Sequence, residues 1–328
     1  MGPSTRSPWR KSHCTSLSTA SSCCRASIRA GVSCVSPRHR NAVAKTPPRR
    51  IPAVLWTWYR GGNFRGFQRQ VEGPTVQDAL EDALRQAGSP ATVMPSGRTD
   101  RGVHARMQVI SLRLDEDVPP AELPRRLSPF LSPDVGLCVA KRPPGSFHAQ
   151  WSASGKEYRY RLTLGAPPAE AWRPYALDVA TEGALQGGRA VTPERLEALL
   201  ARAVGTRDFT AFHERSSPQK ARTLASATLR ERGGGLYEAC LEGDGFARYQ
   251  VRYLVGSALK VAAGLLSEEQ WHAALDAGTS LAGFKAPAHG LVLWEVRYPS
   301  AVDPFGPVER LHPPGLPDSP PFTEAAPG

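Results

Sequence analysis

What the chain lacks narrows its identity first. Its opening 50 residues contain ten Lys or Arg and not one Asp or Glu. They show no hydrophobic period, so this stretch is expected to be disordered. Removing it from the chain's 41 basic and 30 acidic residues leaves 31 basic against 30 acidic, so the formal net charge of +11 belongs almost wholly to the leader. A polyanion site in the body must therefore come from local clustering. Cysteine is scarce beyond the leader: Cys138 and Cys240 stand alone, and no C-x-x-C pair offers the usual structural zinc spacing. Two isolated cysteines read as small buried apolar residues of a reduced, intracellular protein. No apolar run approaches the roughly 20 residues needed to span a bilayer, so no membrane partner is expected. The sequence also has no G-x-x-x-x-G-K-[ST], no G-x-G-x-x-G after a strand, no H-E-x-x-H and no G-x-S-x-G. ATP use, nicotinamide binding and metalloenzyme chemistry have little support, and no cofactor is expected.

What is present is a body that should fold. Hydrophobic residues make up 41% of the chain and charged residues 22%, the balance of a globular protein. Residues 53–59 read as a strand. Residues 75–87 read as a helix, with Thr75 as N-cap, a stripe of Val76, Ala79, Leu80, Ala83 and Leu84, and Gly88 as the stop. Strands follow at 91–94 and 107–114, a helix at 120–131 that Pro124 and Pro129 weaken, and a strand at 134–140. The second half repeats that order. It has a strand at 156–164, a helix from Thr192 to Ala203 with Pro193 at its first position, and a hairpin of 223–231 with 236–241. A long helix at 246–266, a shorter one at 268–277 and a strand at 291–298 complete it. Two β-α-β-β-α-β units predict an α+β fold of two ferredoxin-like halves sharing a central, mostly antiparallel sheet. The expected domains are a basic extension over 1–50, an N-terminal half over 51–150, a C-terminal half over 151–299, and a Pro-rich disordered tail over 300–328. The leader fits a dispensable extension, or an organelle transit peptide, which shares its Ser/Arg-rich, acid-free composition.

One loop stands out chemically: Gly97-Arg98-Thr99-Asp100-Arg101-Gly102-Val103-His104-Ala105. It connects the middle strands of the first half and presents a carboxylate between guanidiniums. Glycines allow close approach of a ligand, and loops on rigid scaffolds often hold the chemistry. Taken alone, it also fits a surface turn in which Asp100 bonds nearby backbone. Arg248, Arg252 and Lys260 fall at helical spacing, which suits a solvated stripe as well as a site. Tyr158, Tyr160 and Leu162 share a strand face, which suits core packing.

The loop resembles the G-R-T-D-x-G-V-H-A signature of the tRNA pseudouridine synthase A family. Further similar segments follow in family order. They are Tyr59 to Gln68, Thr75 to Leu80, Phe147 to Ala153 with Lys156-Glu157-Tyr158-Arg159-Tyr160, Gly205 to Phe212, Arg222-Thr223, Phe246 to Gly256 and Ala286 to Leu291, together covering about residues 53–299. The resemblance implies the two-half fold, a homodimer gripping tRNA, and cofactor-free conversion of uridines 38–40 of the anticodon arm to pseudouridine in the cytoplasm. It implies Asp100 as the essential carboxylate, Arg252 as its partner and Tyr158 as the active-site tyrosine. Arg98 helps flip the base, and Gln68, Arg222, Gly290 and Leu291 contact substrate. Arg248 and Lys260 are left as phosphate contacts. Three residues depart from the family pattern: Arg101 replaces a small residue, Arg60 an acidic one, and Gln150 an Arg. One rival reading is a tRNA-binding module silenced by Arg101; another is a polybasic nucleic-acid or membrane arm in the leader.

Overall fold

The strand at 155–163 shows how the body is built. Side chains of a strand alternate between faces, and here neither face reaches water: Tyr158, Tyr160 and Leu162 are buried on one side, Glu157, Arg159, Arg161 and Thr163 on the other. The computed structural model describes residues 49–115, 118–214 and 221–323. Within them the elements are β1 Arg50–Tyr59, α1 Val76–Gln86, β2 Met94–Pro95, β3 His104–Asp115, α2 Leu123–Leu127, β4 Val135–Lys141, β5 Gly155–Thr163, β6 Leu177–Asp178, α3 Pro193–Arg202, β7 Gly205–Arg207, β8 Arg222–Glu231, β9 Leu236–Gly243, α4 Gln250–Ala262, α5 Glu268–Ala277, β10 Leu291–Arg297 and α6 Pro307–Leu311.

All ten strands join one sheet, whose main path runs β4-β1-β3-β10-β5-β9-β8-β7. β2 adds to β3, and β6 to β5. Numbered within each half, β4-β1-β3-β2 and β10-β5-β9-β8 have the same order, 4-1-3-2, and every pairing inside these two sets is antiparallel. The predicted pair of ferredoxin-like halves on a shared, mostly antiparallel sheet is therefore what the chain forms. The halves meet in parallel, where Val292 and Leu293 pair with His104 and Ala105.

Local chemistry explains most boundaries. Thr75 caps α1 through the Asp78 N–H, and Thr192 caps α3 through the Arg195 N–H. The expected helix over 120–131 is instead α2 between two short 3-10 turns. Pro124 and Pro129 supply no amide donor, which breaks the helical ladder. α4 starts at Gln250 rather than 246 because Tyr249, its N-cap, sits in the left-handed region at φ 65°.

The expected disordered tail is corrected over 300–323. This segment straps the sheet's polar face. Phe305 and Phe322 are buried, edge-on against Trp56 and Trp58. The Trp58 indole N–H donates to the Gly315 carbonyl (2.9 Å), and Arg161 donates to the Pro321 carbonyl (2.7 Å). Beneath the strap Glu238 is fully buried and takes the charges of Arg159, Arg161 and Arg232 at 3.1, 2.8 and 2.7 Å. Burial pushes the Glu238 carboxyl up, and the three guanidiniums more than offset this, leaving it below its usual range. Arg159 stacks over Trp294, 3.7 Å from the ring centroid. The expectation for residues 1–48 lies outside the described residues, and β1 begins at Arg50.

Candidate active site

The loop between β2 and β3 is fixed from below by hydrogen bonds to the sheet. The Gln108 amide accepts from the Ser96 hydroxyl (2.7 Å) and donates to the Gly97 carbonyl (2.7 Å). The Lys156 ammonium donates to the Ser96 carbonyl at 2.9 Å. Burial, and next the charge of Arg222, push the Lys156 pKa down to about 8. Thr99 bonds the Tyr59 phenol (2.8 Å) and its carbonyl accepts from the Phe67 N–H (3.1 Å). The opening loop at 60–68 thus lies directly on the catalytic-loop candidate. Gly66 makes that contact possible: it has φ 102°, and a Cβ there would sit 2.8 Å from the Thr99 oxygen.

His104 locks the seam between halves. Its Nδ1 accepts from the Gly61 N–H at 2.9 Å, so its proton resides on Nε2, which donates to the His289 carbonyl at 3.1 Å. The ring is buried, and burial pushes its pKa down to about 3.

On this frame Asp100 and Arg252 come together, with 3.9 Å between carboxylate and guanidinium. Their side chains are 21% and 11% exposed, so both are largely withdrawn from water yet reachable. Arg252 is aimed by its Nε, which donates to the Ala286 carbonyl at 2.7 Å. That contact needs Gly256, because a Cβ there would fall 2.0 Å from the Phe284 oxygen and push the 283–286 segment off α4. Burial raises the Asp100 pKa; Arg252, then Arg248 and Lys285, pull it down, and Glu214 opposes them. The net direction is upward, so desolvation outweighs the cations. Tyr158 lies on β5 near the carboxylate, with its ring edge-on to Phe246 at 5.2 Å. Burial first, then the charges of Tyr59 and Asp100, push its pKa upward, so the phenol keeps its proton at neutral pH.

The other expected residues divide. Arg98 and Arg101 are exposed on the loop itself. Gln68 is half-buried, one residue beyond the Phe67–Thr99 bond. Gly290 and Leu291 enter β10 against Tyr160: a Cβ on Gly290 would meet the Tyr160 ring at 2.9 Å, and Leu291 pairs with Tyr160 and is buried. Arg222 opens β8 and acts electrostatically on Lys156, and it is not among the main charges acting on Asp100. Arg248 precedes α4, so the expected helical stripe does not form. Lys260 lies eight residues beyond Arg252, about 12 Å along the helix. Three residues near Asp100 carried no sequence signal: Lys285, Glu214 and Tyr249. The Lys285 ammonium and the Glu214 carboxylate are 3.2 Å apart.

A largely buried carboxylate beside a fixed guanidinium, with a protonated phenol close by and an exposed arginine two residues away on the same loop, has the makings of a nucleophile for an electrophilic carbon. Known proteins resemble this chain over most of its length. A family model described as tRNA pseudouridine synthase matches residues 200–299. The tRNA pseudouridine synthase A of Exiguobacterium sibiricum is 35% identical over 251 residues, 74% of this chain and 95% of that protein. The protein of that name from Anoxybacillus flavithermus is 36% identical over 260 residues, 76% of this chain and 99% of its own. The one from Cereibacter sphaeroides is 36% identical over 261 residues, 75% and 96% respectively.

Proposed function

The chain belongs to the tRNA pseudouridine synthase A family, isomerases that convert uridine to pseudouridine in tRNA, and on that premise we propose that it acts at positions 38–40 of the anticodon arm, with Asp100 as the nucleophile and no cofactor. The reaction balances without one. The bond from uracil N1 to the ribose breaks, a bond from C5 forms, and the proton lost from C5 is matched by one gained at N1. Nothing is oxidised and no group is imported.

The observation that carries this reading is the 3.9 Å approach of Arg252 to Asp100. The guanidinium favours the ionised carboxylate against the burial that disfavours it. A uridine swung out of its stack would meet that carboxylate, with Tyr158 beneath the base and Arg98 at the rim filling space or holding phosphate. Gln68, Gly290 and Leu291 line the approach, and Arg222 contributes through Lys156. Family membership also supports a cytoplasmic homodimer gripping tRNA, with 51–150 and 151–299 as its working halves. Among the described residues no helix is long and apolar enough to cross a membrane.

The test is Asp100→Asn, assayed on purified tRNA. Pseudouridine formation should vanish while tRNA binding stays within about tenfold, roughly 1.4 kcal/mol. Wild-type protein that binds tRNA and makes no pseudouridine would sink the reading.

A further inference from the structure

Among the described residues, Tyr249 alone of the non-glycines has a positive φ, at 65°. A side chain is kept in that region only where its surroundings over-determine it. Here the surroundings are cations. The Lys285 ammonium lies 4.0 Å from the centroid of the Tyr249 ring, the Arg248 guanidinium 4.6 Å and the Arg252 guanidinium 5.4 Å. Arg248 also donates to the Tyr249 phenol oxygen at 2.7 Å. These same three cations are the ones that pull the Asp100 pKa down.

We propose that Tyr249 is a positioning residue whose ring face gathers Arg248, Arg252 and Lys285 around Asp100. Three like charges at such short range repel. A carboxylate could hold them together, but it would also repel the Asp100 carboxylate and neutralise the field it was meant to supply. An aromatic face attracts cations through its quadrupole and carries no net charge. It therefore concentrates positive charge beside the nucleophile without diluting it. Glu214 illustrates the alternative: it pairs with Lys285 at 3.2 Å and pushes the Asp100 pKa the other way.

The charged and titratable groups acting on or with Asp100 come from several elements. Arg252 comes from α4, Arg248 from the turn before it, Lys285 from the segment crossing it, Glu214 from the chain before β8, and Tyr59 and Tyr158 from β1 and β5. The ring of Tyr249 touches three of these, all cationic. The inference rests on Asp100 being the working carboxylate of the functional reading, and its test is chosen to need no turnover.

The test is a carbon-detected NMR titration of the Asp100 carboxyl in the full chain, assigned by loss of the signal in Asp100→Asn. Tyr249→Phe keeps the ring and should titrate with the wild type. Tyr249→Gly and Tyr249→Asn remove the ring with residues that tolerate a left-handed backbone, so neither strains the fold. In both, the Asp100 titration should move to higher pH by roughly half a pH unit or more, about a threefold change in proton affinity. The acid limb of pseudouridine formation should move with it. Titration of either ring-less variant at the wild-type position overturns the proposal. So does a shift in Tyr249→Phe as large as in Tyr249→Gly, which would assign the effect to the phenol's bond with Arg248. A wild type that makes no pseudouridine defeats the functional reading, while the titration still decides the role of Tyr249.

Discussion

Acid should weaken this fold through His104, and the size of the effect follows from its environment. The folded imidazole is neutral, with Nδ1 accepting from Gly61 and Nε2 donating to the His289 carbonyl. Protonation would put a charge on a buried ring and set a second N–H against the Gly61 donor. Its folded pKa is accordingly down at about 3, against 6.5 for the free side chain. The unfolded chain therefore binds a proton between these values and the folded chain does not. Stability from this residue is complete above about pH 6.5 and falls as pH drops toward 3. At about 1.4 kcal/mol per pH unit, acidifying to pH 4 should cost the protein about 3 kcal/mol through His104 alone. His104→Asn gives the comparison. The Asn carbonyl can still accept from Gly61, while the bond to His289 is lost, so at pH 7 the variant should be less stable by about 1 kcal/mol. At pH 4 the order should reverse, with the variant more stable by about 2 kcal/mol. Urea unfolding of both proteins at pH 7, 5.5 and 4 reads this directly. Parallel stability curves, with a constant gap at all three pH values, would refute the argument, because they would mean that the folded ring takes up a proton as readily as the unfolded one.

Two further outcomes follow from the sheet's polar face. Glu238→Gln leaves Arg159, Arg161 and Arg232 without their shared carboxylate, and losing one side of a buried ion-pair network should cost about 3–5 kcal/mol; a urea-unfolding loss below about 1 kcal/mol would show that the network does not depend on that charge. Ending the chain at Tyr298 removes the burial of Phe305 and Phe322, worth about 2–3 kcal/mol each. The truncated protein should melt lower and self-associate on size-exclusion chromatography, and an unchanged melting temperature would show that the strap contributes nothing to stability.

Much of this architecture was legible because it is periodic. The alternation along residues 156–164 and the capped stripe after Thr75 each carry their own signal, and the repeated order of elements was enough to give the two-half sheet. The strap was misread because its information is not periodic. Two phenylalanines seventeen residues apart and a run of prolines offer no repeat, and the face that they cover is created only when β1, β3, β5 and β10 are assembled. The same limit applies at the site. Asp100, Arg252 and Tyr158 were visible through resemblance, and the structure brings them together. Arg222 was expected to contact substrate and Lys260 a phosphate; the charge of Arg222 acts on Lys156, and Lys260 lies near the far end of α4. Tyr249, Lys285 and Glu214 were invisible because the property that groups them is proximity between segments some 36 residues apart in the sequence.

The seam between β3 and β10 is only two residue pairs long, and the charges cross it. Asp100 is contributed by the N-terminal half, while Arg252, Lys285 and Tyr158 arrive from the C-terminal half. Neither half holds both members of the Asp100–Arg252 pair. On the proposed reading, a slight parting along this line, with each half still folded, would separate the carboxylate from its cations and end pseudouridine formation long before any melting curve registered a change.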